Sequence, residues 1–252
     1  MKATKIWVLP FLIFFCTLLH GQTNKVINST FCSWWTVNNK YHVNSNLYFG
    51  SEVHIRRANF LKHWQQFLVR PSINYKFSKD YDVGIGYTFL YNYPYGAQPI
   101  AINAPEHNVW EQIVLHHKAG QIKLSHRLRL EQRFIGNIVT PDETHLDPYL
   151  DGFTYANRFR YRLTGKFPIA IQGKFFGKFF NEIWLHLEDY MLPESLNQNW
   201  LYLGLGYSFC DRGNVQIGFM DQLIQKSDHI HYENNPVLQV SVGYTFGRFK
   251  SQ

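Results

Sequence analysis

At 252 residues the chain has room for one large domain or two small ones, and 45% hydrophobic residues exclude a disordered chain. A formal charge of +7 would admit a nucleic-acid partner, but a leader at the N-terminus marks the chain for export and sets that partner aside. Three cysteines without metal-ligand spacing exclude a disulfide scaffold and a thiolate metal site.

The leader reads "MKATKIWVLPFLIFFCTLLHGQ". Lys2 and Lys5 form its positive segment, Ile6 to Leu19 its apolar segment, and Gly21 is a small residue at a cleavage point. Residues 1–21 therefore read as a signal peptide, too short and wrongly flanked for a membrane helix, and 22–252 as one domain. Cleavage leaves Cys32 and Cys210, both expected as free thiols. No later apolar run reaches the roughly 18 residues that a membrane helix needs. If this chain spans a membrane, it does so as a closed β-barrel.

From there, period-two alternation recurs to the C-terminus. "TNKVINS" (23–29) is a short first candidate and "FCSWWTVNNKYHV" a long, irregular second. "NLYFGSEVHIR", "QFLVRPSINYKF" and "YDVGIGYTFLYN" alternate cleanly, with Pro71 as a foreseen bulge or irregularity. "VWEQIVLHH" is the weakest, because Glu111 shares the parity of Ile113 and Leu115. "QIKLSHRLRLEQRF" sets Leu128, Leu130 and Phe134 against Arg127, Arg129, Glu131 and Arg133. "GFTYANRFRYRL" sets Phe159 and Tyr161 against Arg158, Arg160 and Arg162. "IAIQGKFFGKF", "WLYLGLGYSF", "NVQIGFMDQL" and "VLQVSVGYTF" complete the series. Short connections fall at 44–46, 78–80, 118–120, 164–168 and 210–213. Long ones lie near 58–65, 93–107, 135–151, 186–198 and 226–235. Short turns alternating with long loops are the rhythm of an up-and-down transmembrane β-barrel. The pattern predicts an all-β, antiparallel barrel of twelve strands, or ten if weak segments fail.

Parity then assigns the faces. A charge facing lipid at mid-depth costs about 2–4 kcal/mol, so the arginine parity belongs in the lumen and the aromatic-rich parity on outer-membrane lipid. The expected lumen-lining bases are Lys123, Arg127, Arg129, Arg133, Arg158, Arg160, Arg162, Lys174 and Lys178. Their expected acidic partners are Glu52, Asp82 and Glu131, with Glu106 and Glu182 as further inward acids. Two readings of this cluster stay open. One is an internal ion-pair network that props up a filled barrel. The other is a positive, wet lumen that passes small phosphate-bearing or acidic solutes.

"VWEQI" (109–113), "RLRLEQRF" (127–134), "RFRYRL" (158–163), "NEIW" (181–184) and "LYLGLGY" (201–207) together resemble a family of predicted outer-membrane β-barrels. It is a domain-of-unknown-function family frequent in Bacteroidota, and the resemblance runs from about residue 31 to 247. It implies the outer membrane and the barrel fold, and it implies no reaction. Trp200 departs from the pattern, which has an arginine before "LYLGLGY".

An enzyme is the second class, as an outer-membrane lipid hydrolase. Ser125 and His126 are adjacent and point to opposite faces of a strand, as do His116 and His117. His54 and Glu52 share a face, which orients an imidazole, but no serine is placed beside them. Neither G-x-S-x-G nor H-E-x-x-H occurs, so the reading leans away from an enzyme, and no cofactor or metal is expected. "DHIHYE" (228–233) carries alternating histidines but reads as a solvated loop.

Overall fold

The computed structural model describes residues 25–141, 146–169, 174–187, 196–226 and 228–247. The leader lies outside the described residues. Twelve strands are present: β1 Val26–Asn28, β2 Cys32–His42, β3 Leu47–Ala58, β4 His63–Lys76, β5 Tyr81–Asn92, β6 Ala104–Ala119, β7 Ile122–Val139, β8 Tyr149–Ile169, β9 Phe175–His186, β10 Leu196–Cys210, β11 Gly213–Gln225 and β12 His231–Phe246. Each of β2 to β12 pairs antiparallel with its chain neighbours, and β12 then closes on β2.

Eleven strands form the ring, and an odd ring has to close in parallel. Val237 faces Cys32 and Phe246 faces Tyr41 in parallel register. β1 stands outside this count, yet it lies along β12 in the same register: Val26 faces His231 and Asn28 faces Glu233. β1 and β2 are thus one line of chain along β12, interrupted between them. The Asn235 side chain bridges the gap by accepting from the Thr30 N–H at 2.8 Å.

Alternation sets the two faces as expected. Leu128 and Phe134 are exposed outside, while Arg129, Glu131 and Arg133 are buried inside. A belt of apolar side chains surrounds the wall, including Val37, Ile55, Ile85, Ile113, Leu203, Ile217 and Phe219. Glu111 interrupts that belt, exposed on the outer face and taking a hydrogen bond from Gln132. Its strand, weakest in the sequence, runs unbroken over 16 residues.

One local expectation changes and another takes a definite form. "TGKFP" is not a turn, because β8 runs through it to Ile169. β7 pairs with β8 only as far as Lys166, so the absent N–H of Pro168 deletes no bond to β7. At Pro71 the irregularity takes the form of a gap in pairing rather than a bulge: the β4–β5 register is the same on either side, with Val69 opposite Phe89 and Ser72 opposite Gly86, and Arg70 and Pro71 between them are unpaired with β5. Cys32 is buried in the first residue of β2 and Cys210 is exposed at the far end of β10, both free.

Small residues inside the wall make room for large ones. A Cβ on Gly86 would come within 2.2 Å of the Trp110 ring and 2.7 Å of the Pro71 carbonyl oxygen. Gly86 therefore lets the indole lie flat on the wall, where its other face is free for a lumen side chain. Gly86→Val is expected to destabilise the barrel by about 1–3 kcal/mol through overpacking. The check is a lower temperature for the shift from fast to slow gel migration of the detergent-solubilised protein.

Candidate functional site: the charged lumen

The lumen charges begin as a problem of register. β7 and β8 set Arg127 opposite Arg162 and Arg129 opposite Arg160, and like charges directly opposite repel. Guanidinium groups stay protonated in proteins, so deprotonation offers no escape. Two inward carboxylates reach across the seam instead. Glu131, on β7, accepts from Arg158 Nε at 2.8 Å and from Arg160 Nη1 at 2.5 Å, with Arg129 Nη1 at 3.7 Å. Glu182, on β9, accepts from Arg127 Nη2 at 2.5 Å, Arg160 Nε at 3.0 Å and Arg162 Nε at 2.9 Å. Arg160 is the bridge between the two carboxylates. Both acids are 0% exposed, and Arg129 and Arg160 are each 2% exposed.

Further pairs surround this centre. Arg133 binds Glu106 through two nitrogens, at 2.7 and 3.0 Å. Arg70 binds Glu52 at 2.7 Å, and Glu52 also takes the His54 ring nitrogen at 3.3 Å. Asp82, expected to partner arginine, instead sits with Tyr48 and His116, each at 3.3 Å.

Aromatic rings supply what the carboxylates cannot. The guanidinium of Arg129 lies 3.8 Å from the Trp110 ring centre, Arg160 3.7 Å from Trp184, and Arg56 3.7 Å from Trp34. Trp200 links the last two, 4.4 Å from Trp184 and 5.1 Å from Trp34. A cation over a desolvated aromatic face gains about 2 kcal/mol. Trp200 extends this stack from β10 across to β2. Parity places Trp184 with Glu182 and so on the inner face; what it does not show is that the rings pair with arginines.

Two cavities lie inside the barrel, on either side of this network. A chamber of about 400 Å³ lies toward the short turns, bordered by Lys40, Asn38, Lys178, Arg162, Trp34 and Tyr202 among others. A cavity of about 90 Å³ lies toward the long loops, bordered by Gln65, Gln66, Tyr95 and Glu106. Arg56, Arg70 and Trp200 border both and stand at the waist. Tyr95, in the loop between β5 and β6, donates to Glu233 at 3.2 Å. Burial and the nearby Glu233 charge push its phenol pKa up, so this contact stays protonated through any ordinary pH.

Two expected lumen bases fall elsewhere. Lys174 lies in the turn before β9, exposed, because β9 starts only at Phe175. Lys123, the second residue of β7, is exposed at the short-turn rim. There it joins a row: Lys118 faces Lys123, Lys123 faces Lys166, and Lys166 faces Lys178 across successive strands.

Thr36, His54 and Glu52 form a hydroxyl–imidazole–carboxylate chain, at 3.2 and 3.3 Å, on the chamber wall. The carboxylate oxygen that orients His54 is also taken by Arg70. In "DHIHYE" the candidate ligands diverge. His231 pairs with Asp228, His229 with Gln225, and Glu233 with Lys226. Among the described residues no group of three metal-ligating side chains converges. Asp228 caps this loop, its carboxyl held down to about 2 by N–H donation from His231 and Ile230.

Arg160→Ala would leave Glu131 and Glu182 buried with fewer partners, and a broken buried pair costs about 3–5 kcal/mol. Denaturant unfolding in detergent, followed by tryptophan fluorescence, should show a loss of that size. Removal of the exposed Lys174 by Lys174→Gln should change stability by less than about 0.5 kcal/mol.

Comparison with known proteins gives one family, described as "Protein of unknown function (DUF2490)", over residues 31–233. No curated protein matches the chain. Among solved structures, that of the NanC porin in a rhombohedral crystal form is similar at 11% identity, with a TM-score of 0.42, covering 75% of this chain and 87% of that chain.

Proposed function

The chain belongs to the DUF2490 family, and from that premise we propose that it is an integral outer-membrane β-barrel whose lumen is sealed at mid-height by its arginine–glutamate–tryptophan network. The leader and the outward apolar belt support the location. An exposed apolar band around a closed wall suits lipid and is a liability in water.

The observation that carries the sealed reading is the burial of the network. Glu131 and Glu182 are 0% exposed. In a wet pore the charges that line the passage are reached by water. Here the carboxylates are enclosed by guanidinium groups and indoles, so the network acts as a strut. The protein is then a barrel with a basic chamber open to the short-turn side, rather than an anion-passing porin. The short turns of such barrels lie on the periplasmic side.

A lipid-hydrolase reading would rest on Thr36–His54–Glu52. That chain faces the chamber and not the lipid boundary, and Arg70 draws on the same carboxylate. Both facts weigh against it.

Two measurements test the proposal. The protein should fractionate with outer membranes and migrate differently on gels before and after boiling; recovery as a soluble periplasmic protein would end the membrane reading. In planar bilayers the wild-type barrel should give no stepwise conductance. Regular anion-selective steps would overturn the seal and restore the porin.

A further inference from the structure

We propose that the chamber on the short-turn side is a binding site for a hydroxyl-bearing organic phosphate of sugar-phosphate size. The proposal rests on the sealed-barrel reading, since a blind chamber holds a ligand that an open pore would pass.

The argument starts from an imbalance of charge. In the mid-height network every buried carboxylate has arginine partners. In the chamber bases outnumber acids: among the lining residues Glu52, already paired with Arg70, is the carboxylate. Lys40 and Lys178 border it, and neither has a carboxylate within ion-pair distance among the described residues. Arg56 reaches Gln66 and the rings of Trp34 and Trp200 but no carboxylate within ion-pair distance among the described residues, and its Nε has no hydrogen-bond partner. Arg56 is buried, Lys178 half-buried and Lys40 exposed, and a buried cation without a counter-charge, as at Arg56, is costly unless something anionic joins it.

The row at the rim sharpens the point. Lys118, Lys123, Lys166 and Lys178 stand opposite one another on four successive strands, each pair repulsive by its register. Neighbouring strands lie about 4.8 Å apart. Such a row is a line of compact point charges suited to a phosphate rather than to one planar carboxylate. It ends at Lys178, which borders both the chamber and a second cavity of about 250 Å³ shared with Lys123 and Lys166. An anion drawn to the rim is therefore led inward along the row.

The rest of the wall indicates what the phosphate is attached to. Asn38, Asn214 and Gln216 offer amide donors and acceptors to hydroxyl groups. Trp34 and Tyr202 also border the chamber, but their faces are covered, Trp34 by Arg56 and Tyr202 by Phe180, so the amides and not the rings select what the phosphate carries. The chamber opens inside the wall, so a soluble molecule reaches it and a lipid headgroup on the outer face does not.

The test is calorimetric titration of the folded, detergent-solubilised barrel with glucose 6-phosphate, glucose and pyrophosphate. Glucose 6-phosphate should bind, and glucose should not. Pyrophosphate should bind more weakly than the sugar phosphate, for want of hydroxyl groups to meet the amides. Lys178→Gln should weaken glucose 6-phosphate binding by about tenfold or more, while Lys174→Gln, in the turn outside the wall, should leave it unchanged. Both variants should keep the heat-modifiable gel shift that reports a folded barrel. Absence of binding to the folded wild type, or equal weakening by Lys178→Gln and Lys174→Gln, would overturn the site. Either of those results with silent bilayers leaves the seal standing; stepwise conductance sinks the seal whatever the titration shows.

Discussion

Arg160 holds two buried carboxylates apart and together at once, and the inside of the barrel is arranged around that contact. Burying an ion costs several kcal/mol, recovered only with good geometry and full hydrogen bonding. Glu131 and Glu182 satisfy this because β7 and β8 present their arginines at heights that match Glu131 on β7 and Glu182 on β9. The arginines left over need another partner, and indoles supply it. Trp110 in turn needs a flat seat, and Gly86 provides it by having no side chain. A charge requirement at mid-height thereby dictates tryptophans on β2, β6, β9 and β10 and a glycine on β5.

This chain of dependence is what supports the sealed reading of the lumen. An arginine that stacks on one face and pairs along its edge leaves little room for solvent. The two halves of the interior differ as a consequence. Toward the long loops Glu106 and Glu233 meet Arg133 and Lys226, and the charges close on themselves. Toward the short turns lysines gather without such partners. The interior is polarised along its axis, although no single strand displays that gradient.

The architecture was readable from residue order. Parity in "RLRLEQRF" and "RFRYRL" put the arginines inside, and "TNKVINS" supplied the short first strand that brings the number to twelve. Contacts between strands were less readable. Glu182 shares its parity with Trp184, but its pairing with three arginines depends on the relative height of β7, β8 and β9, and alternation within one strand carries no information about height. The same gap misplaced Lys174: the glycine and phenylalanines of "IAIQGKFFGKF" alternate whether or not the chain is turning. Pro168 misled for a related reason, since a proline marks a turn only where its missing N–H would have had a partner.

The odd ring carries a consequence of its own. In a barrel with an even number of strands, the chain enters and leaves at the same rim. Here β2 descends from the long-loop rim, where Cys32 lies opposite Ala58, and β12 ends at the short-turn rim, where Gly247 packs on His42. The two ends of the described chain therefore lie on opposite rims. A membrane around this barrel would place Val26 and Phe246 on opposite sides of it.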